Sequence, residues 1–148
     1  MIYLYNLIMG SEISIPKVNF EDIKLCINNS HYLLINTLPN HEQKCLIYNT
    51  IEFQNEENII NNLINVNKSH PIILYGKNCN DDSVYKKYKQ FSELGFTTIS
   101  IYPGGMFEWL LLQDIYGKDD FSTTKNELDH LKFKGKSIFT TYLIGDLD

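Results

Sequence analysis

Two rhythms of apolar and polar residues alternate along the chain: short unbroken apolar runs closed by turn residues, and stretches in which apolar residues return every three or four positions. The first suits strands buried on both faces, the second suits helices that bury one side. Both are clearest between Pro71 and Gly117. Pro71 to Tyr75, PIILY, is closed by Gly76 and predicts a central strand. The polar segment Gly76 to Ser83 follows, where Asp82 or Ser83 can accept a hydrogen bond from the free N–H groups that open a helix. Val84, Tyr88, Phe91 and Leu94 then recur at helical spacing, with Lys86, Lys87 and Lys89 mostly off that stripe and Gly95 where a C-terminal cap belongs. Thr97 to Tyr102 is β-branched and aromatic, which predicts a second central strand. After PGG comes MFEWLLLQDIYG, with Phe107, Leu110, Leu111 and Asp114 on overlapping faces of a helix expected to lie deep and to end at Gly117. Trp109, flanked by leucines, is expected in the core.

Upstream the same alternation holds. Ile13 to Ile15 predicts a short first strand, and Asn19 can cap a helix over Phe20 to Ile27 whose Phe20, Ile23 and Ile27 share a face. Cys26, close to that face, reads as a small core hydrophobe. Tyr32 to Thr37 is the next buried strand, Leu38 to Lys44 a turn-rich segment with Pro39 and Asn40, and Cys45 to Ile51 a further extended run. Glu56 to Val66 carries Ile59, Ile60, Leu63 and Val66 at helical spacing, with Glu56 and Glu57 placed to favour the helix dipole. Strands alternating with helices predict an α/β fold: a mainly parallel central sheet with helices on both faces, in a single domain. The expected organisation is an N-terminal extension over 1–12, the domain over 13–117 and a C-terminal extension over 118–148. In open α/β sheets ligands bind at the carboxyl ends of strands, which makes Gly76 to Ser83 the candidate site.

Composition narrows the function classes. A net charge of -5 with lysines scattered among acids supplies no basic field for a nucleic-acid backbone. The chain has no arginine and no alanine and is rich in asparagine, isoleucine, lysine and tyrosine, a bias of the AT-rich coding kind. Cys26, Cys45 and Cys79 lack paired zinc spacing and are an odd set for a disulfide framework, so reduced thiols and a cytoplasmic location are expected, with no metal and no cofactor. The apolar start MIYLYNLIM has no basic flank or cleavage signal and falls far short of the roughly 20 residues that cross a bilayer, so no membrane partner is expected. His31, His41, His70 and His130 read as solvent or turn residues. Gly104 to Met106 lacks the third glycine of a dinucleotide loop.

The order strand, loop, helix, strand, Gly-Gly turn resembles the rhodanese-like domain, the sulfurtransferase fold shared with certain dual-specificity phosphatases. Leu94 to Trp109, LGFTTISIYPGGMFEW, is similar to the family's stretch after the active-site helix. Leu33 to Pro39 resembles its buried strand ending in Asp-x-Arg, with Asn36 and Leu38 in those places. CLIYNTI resembles its His-Ile-Pro-Gly-Ala segment, with Leu46, Tyr48 and Asn49 standing for His, Pro and Gly. The resemblance covers Ile13 to Gly117, and the whole looks like a divergent rhodanese-homology group associated with large DNA viruses. It implies a cysteine directly after the strand, which accepts sulfur as a persulfide, and a loop closed by arginine. Here that position is Gly76, and Cys79 lies three residues on.

The candidate loop is therefore Gly76, Lys77, Asn78, Cys79, Asn80, Asp81, Asp82 and Ser83. Cys79 can act only if the loop folds inward with Lys77 beside it, while Asp81 and Asp82 raise a thiol's pKa and repel thiosulfate or phosphate. The leading expectation is a rhodanese-like domain without sulfurtransferase activity, acting as a binding or regulatory module for a protein partner. One alternative is a noncanonical sulfurtransferase using Cys79 with a small sulfur donor or acceptor. Another is an assembly protein that self-associates through MIYLYNLIM and IFTTYLI.

Overall fold

The structure, a computed structural model, describes residues 14–139. Its elements run α1 (Phe20–Cys26), β1 (Leu33–Asn36), α2 (Phe53–Val66), β2 (Ile72–Tyr75), α3 (Asp82–Glu93), β3 (Ile99–Tyr102) and α4 (Gly105–Tyr116), with single 3-10 turns at Asn40–Glu42 and His130–Phe133. The three strands pair in the order β1-β2-β3, all parallel, with Leu33 opposite Ile72 and Ile72 opposite Ile99. A further parallel bridge joins Lys17 to Ile101, where Val18 N–H donates to the Ile101 carbonyl at 2.9 Å and Ile101 N–H to that of Pro16 at 3.0 Å. The first strand expected at Ile13 to Ile15 thus pairs a little later. Residues 14 and 15 form no strand, and Ile13 lies outside the described residues.

Alternation along each strand sorts the core into two layers. Leu34, Ile73, Tyr75 and Tyr102 meet Ile23 and Cys26 of α1 and Met106, Trp109 and Leu110 of α4 on one face. Ile35, Ile72, Leu74, Ile99 and Ile101 meet Ile60 of α2 and Val84 and Phe91 of α3 on the other. Covering both faces is what an all-parallel sheet requires, because every crossover lays a helix on one face or the other.

Local sequence explains the helix ends. Asn19 and Asp22 make a reciprocal capping box at α1. Gly95, at φ +103°, ends α3: its N–H donates to the Ser92 carbonyl at 3.0 Å, Phe96 N–H donates to that of Phe91 at 3.2 Å, and the two phenyl rings pack 5.8 Å apart. This is the paired 6→1 and 5→2 bonding of a Schellman cap with its apolar contact. Leu94, expected on the buried stripe, is instead exposed, because it sits at the cap itself.

Other expectations shift for identifiable reasons. α2 opens at Phe53, before the expected Glu56, with Glu52 at the cap position but making no side-chain capping bond to the helix amides. Cys45 to Ile51 adds no strand to the sheet; Ile47 bridges Thr123 antiparallel, and Ile51 N–H donates to the Leu34 carbonyl at 2.8 Å. α4 is less buried than its composition suggests, since Leu111, Ile115 and Tyr116 face solvent while Met106, Trp109, Leu110 and Gln113 face the core. The segment after α4 packs on that same core through Phe121 and Phe133.

Candidate functional site

Gly76 to Ser83 leaves the carboxyl end of β2 and climbs into α3. Its shape is set by Asp81, which is the N-cap of α3 in place of the expected Asp82 or Ser83. Asp81 Oδ1 accepts from Ser83 N–H at 3.0 Å and from Ser83 Oγ at 2.6 Å, and Asp81 Oδ2 reaches back to accept from Lys77 N–H at 2.8 Å. One carboxylate thus satisfies amides at both ends of the loop. Ser83 Oγ also lies 2.7 Å from Thr37 Oγ1, which ties the start of α3 to the end of β1.

The carboxylate fills the space over Gly76. A Cβ built on Gly76 would fall inside contact distance of Asp81 Oδ2 and lie 2.7 Å from Val84 Cγ2 and 2.9 Å from Asp81 Cγ. No side chain larger than hydrogen fits there without moving Asp81. The second glycine of the Gly-Gly turn has a matching reason. Gly105 is at φ +62°, and a Cβ there would meet the Gly76 carbonyl oxygen at 2.5 Å. That close approach lets Met106 N–H donate to the Gly76 carbonyl and Phe107 N–H to that of Lys77, both at 2.9 Å, so the opening amides of α4 are satisfied by the loop backbone.

The remaining loop side chains point to different tasks. Lys77 Nζ lies 3.3 Å from Glu42 Oε2, a buried oxygen with no aligned hydrogen bond, so this ion pair is its counter-charge among the described residues. Asn78 Nδ2 donates to the Phe133 carbonyl at 2.9 Å, and Asn78 Oδ1 accepts from Asn80 N–H at 2.9 Å. Asp82 is the exposed first residue of α3. Cys79 is exposed, and its thiol donates to Asn80 Oδ1 at 3.8 Å. The loop's lysine is thus paired with Glu42, while its thiol is open to solvent. The other thiols are buried, and burial pushes Cys26 and Cys45 above the ordinary thiol range. Such thiols are poor nucleophiles.

Two asparagines fix the segments beside the loop. Asn49 is at φ +68°, a conformation that glycine and asparagine tolerate better than most residues, and its Nδ2 donates to the Ile27 carbonyl at 2.8 Å. Asn36 is buried and pairs both ways with the Gln43 amide at 3.1 and 2.8 Å.

No protein-family model matches the sequence, and no curated protein matches it. Solved structures do. The BH2092 protein from Bacillus halodurans superimposes with a TM-score of 0.55 over 95% of this chain and 96% of that one at 16% identity. The rhodanese-like domain of the Alr3790 protein from Anabaena sp. superimposes with a TM-score of 0.51 over 70% of this chain and 77% of that one at 18% identity. The fold is rhodanese-like. A longer stretch of the Alr3790 protein matches 88% of this chain with a TM-score of 0.52 at 14% identity, covering 91% of its own length.

Within the rhodanese-like frame, three contributors to the loop escape sequence reasoning. Glu42 comes from the turn after β1, Thr37 from the end of β1, and Phe133 from beyond α4. Their only sequence signal is chemical type, because each meets the loop across a long stretch of chain. Asp81 was readable as a loop acid, but its reach back to Lys77 was not. Among the described residues no group of three or more His, Cys, Asp or Glu side chains is placed to hold a metal ion, and no helix is long and apolar enough to cross a membrane. The apolar termini expected to mediate self-association lie largely outside the described residues.

Proposed function

We propose that this chain is a rhodanese-like domain without sulfurtransferase activity, acting as a binding or regulatory module. The observation that carries the proposal is the Asp81 carboxylate lying over Gly76 and hydrogen-bonded to Lys77 N–H and to Ser83. Sulfur transfer from thiosulfate needs a thiolate that attacks the outer sulfur, forms a persulfide and releases sulfite, with amide dipoles around the anionic sulfur. Here the chain's own anion holds that place. A second anion brought to the same point would be repelled, and Lys77 is engaged by Glu42 rather than free to offset it.

The Cys79 reading draws on exposure: the thiol lies at the surface and donates to Asn80 Oδ1 at 3.8 Å. Turnover assays with thiosulfate and cyanide separate the two readings. The binding-module reading expects thiocyanate production by the full chain equal to that of Cys79→Ser and of a no-protein control. Turnover that is present in the wild type and abolished in Cys79→Ser would overturn it.

A further inference from the structure

The end of the sheet opposite the candidate loop carries a pair of histidines that the chain order hides. His31 and His70 are 39 positions apart. Yet the parallel register sets Leu33 opposite Ile72, and Leu33 N–H donates to the Pro71 carbonyl at 3.0 Å, so the register carried back two residues brings His31 against His70. Their imidazole rings lie 6.0 Å apart between centroids and are inclined at 47°. Both backbones are pinned: Asn29 Oδ1 accepts from His31 N–H at 2.9 Å, and His70 N–H donates to the Asn67 carbonyl at 3.4 Å.

His70 Nε2 is buried and has no hydrogen-bond partner, which leaves a polar atom unsatisfied at a cost that evolution usually avoids. His31 is exposed, and its ring contacts are Tyr32, edge-on at 5.2 Å, and His70 itself.

We propose that His31 and His70 form a two-imidazole site for a borderline divalent transition-metal ion, of the Zn²⁺, Ni²⁺ or Cu²⁺ type, at the amino ends of β1 and β2. With metal–nitrogen bonds of about 2.0–2.1 Å, two imidazoles on one ion place their centroids roughly 5 Å apart at a tetrahedral angle and roughly 6.5 Å apart when opposed. The observed 6.0 Å falls between these limits. Imidazole is a preferred ligand for this class of ion and a poor one for Mg²⁺ or Ca²⁺. Among the described residues two imidazoles meet here, so water completes the coordination, and the site is an open chelate rather than a closed cage. The exposed His31 ring can swing, and it must do so to let an ion reach the buried His70 Nε2 before closing on that ion itself. The site shares no residue with the candidate loop, so its fate and that of the binding-module reading are independent.

The test is titration of the full chain with Ni²⁺, followed calorimetrically and by broadening of the histidine ring-proton resonances, in a Cys79→Ser background that removes the exposed thiol. One ion is expected to bind, with the signals of His31 and His70 broadening before those of His41 and His130. His31→Ala and His70→Gln are each expected to weaken binding at least about tenfold, since losing one of two ligands is a larger change than the outer-shell losses that cost roughly 10–100-fold. His41→Ala is expected to bind as the parent does. His31 is exposed, so its alanine variant keeps the proposal falsifiable if His70→Gln fails to fold. Absence of binding at millimolar Ni²⁺, equal broadening of all four histidines, or His31→Ala binding within twofold of its parent would each overturn the proposal.

Discussion

Placing a cysteine at Gly76 tests the geometry of the loop more sharply than removing anything from it. The new Cβ would collide with the Asp81 carboxylate and lie 2.7 Å from Val84 Cγ2. Accommodation requires Asp81 to leave, which breaks its bonds to Lys77 N–H, Ser83 N–H and Ser83 Oγ. Overpacking costs about 1–3 kcal/mol, and loss of a helix N-cap about 0.5–2 kcal/mol, so Gly76→Cys is expected to lose about 2–4 kcal/mol of stability. Asp81→Gly should relieve most of that collision, because glycine is itself a tolerable N-cap. The double variant is then expected to be more stable than the sum of the single changes implies, with a coupling of about 1–2 kcal/mol. Trp109 is the chain's only tryptophan and is fully buried, so urea unfolding followed by its fluorescence reports all the variants of the cycle. A Gly76→Cys protein within about 0.5 kcal/mol of wild type, or a cycle that closes additively, would refute the account of Asp81 as the occupant of that space.

Three further outcomes follow from packing and burial. Gly105→Ala is expected to cost about 2–4 kcal/mol in urea unfolding, because the left-handed backbone adds to a contact with the Gly76 carbonyl that backbone cannot easily yield. Gln43→Ala is expected to cost about 1–3 kcal/mol, since it leaves the buried Asn36 amide without its reciprocal partner; an unchanged urea midpoint would contradict this. Burial raises the phenol pKa of both Tyr75 and Tyr102, with the Glu108 carboxylate adding to it at Tyr102. Their folded values lie above the unfolded one, so the associated stability is intact below about pH 10 and is lost as pH rises beyond it, at up to about 1.4 kcal/mol per pH unit for each residue. Phenolate absorbance of these two residues should appear together with unfolding, and their ionisation inside a folded chain would contradict the assignment.

How much was readable depends on the range of the interaction. Asn19 and Gly95 announce their helix ends because a cap bonds within a few residues of itself. The buried runs at Leu33 and Ile72 announce the sheet because both faces are covered, and the Gly-Gly turn was legible because close approach of backbone demands glycine. Residue type alone could not tell which acid beside the loop would cap α3, and Asp81 prevails because it also reaches Lys77 N–H. Leucines on α4 misled on depth, since helix composition does not say how many faces the neighbours cover. Glu42, Thr37 and Phe133 were invisible as loop partners because their contacts are made only by the assembled sheet.

The most direct test of the central claim is intact mass after incubation with thiosulfate, with thiol-specific mapping, on the wild type and on Cys79→Ser. The account predicts no gain of a sulfur atom on either protein while circular dichroism shows both folded. A stable added sulfur on Cys79 of the wild type, absent from the serine variant, would contradict it.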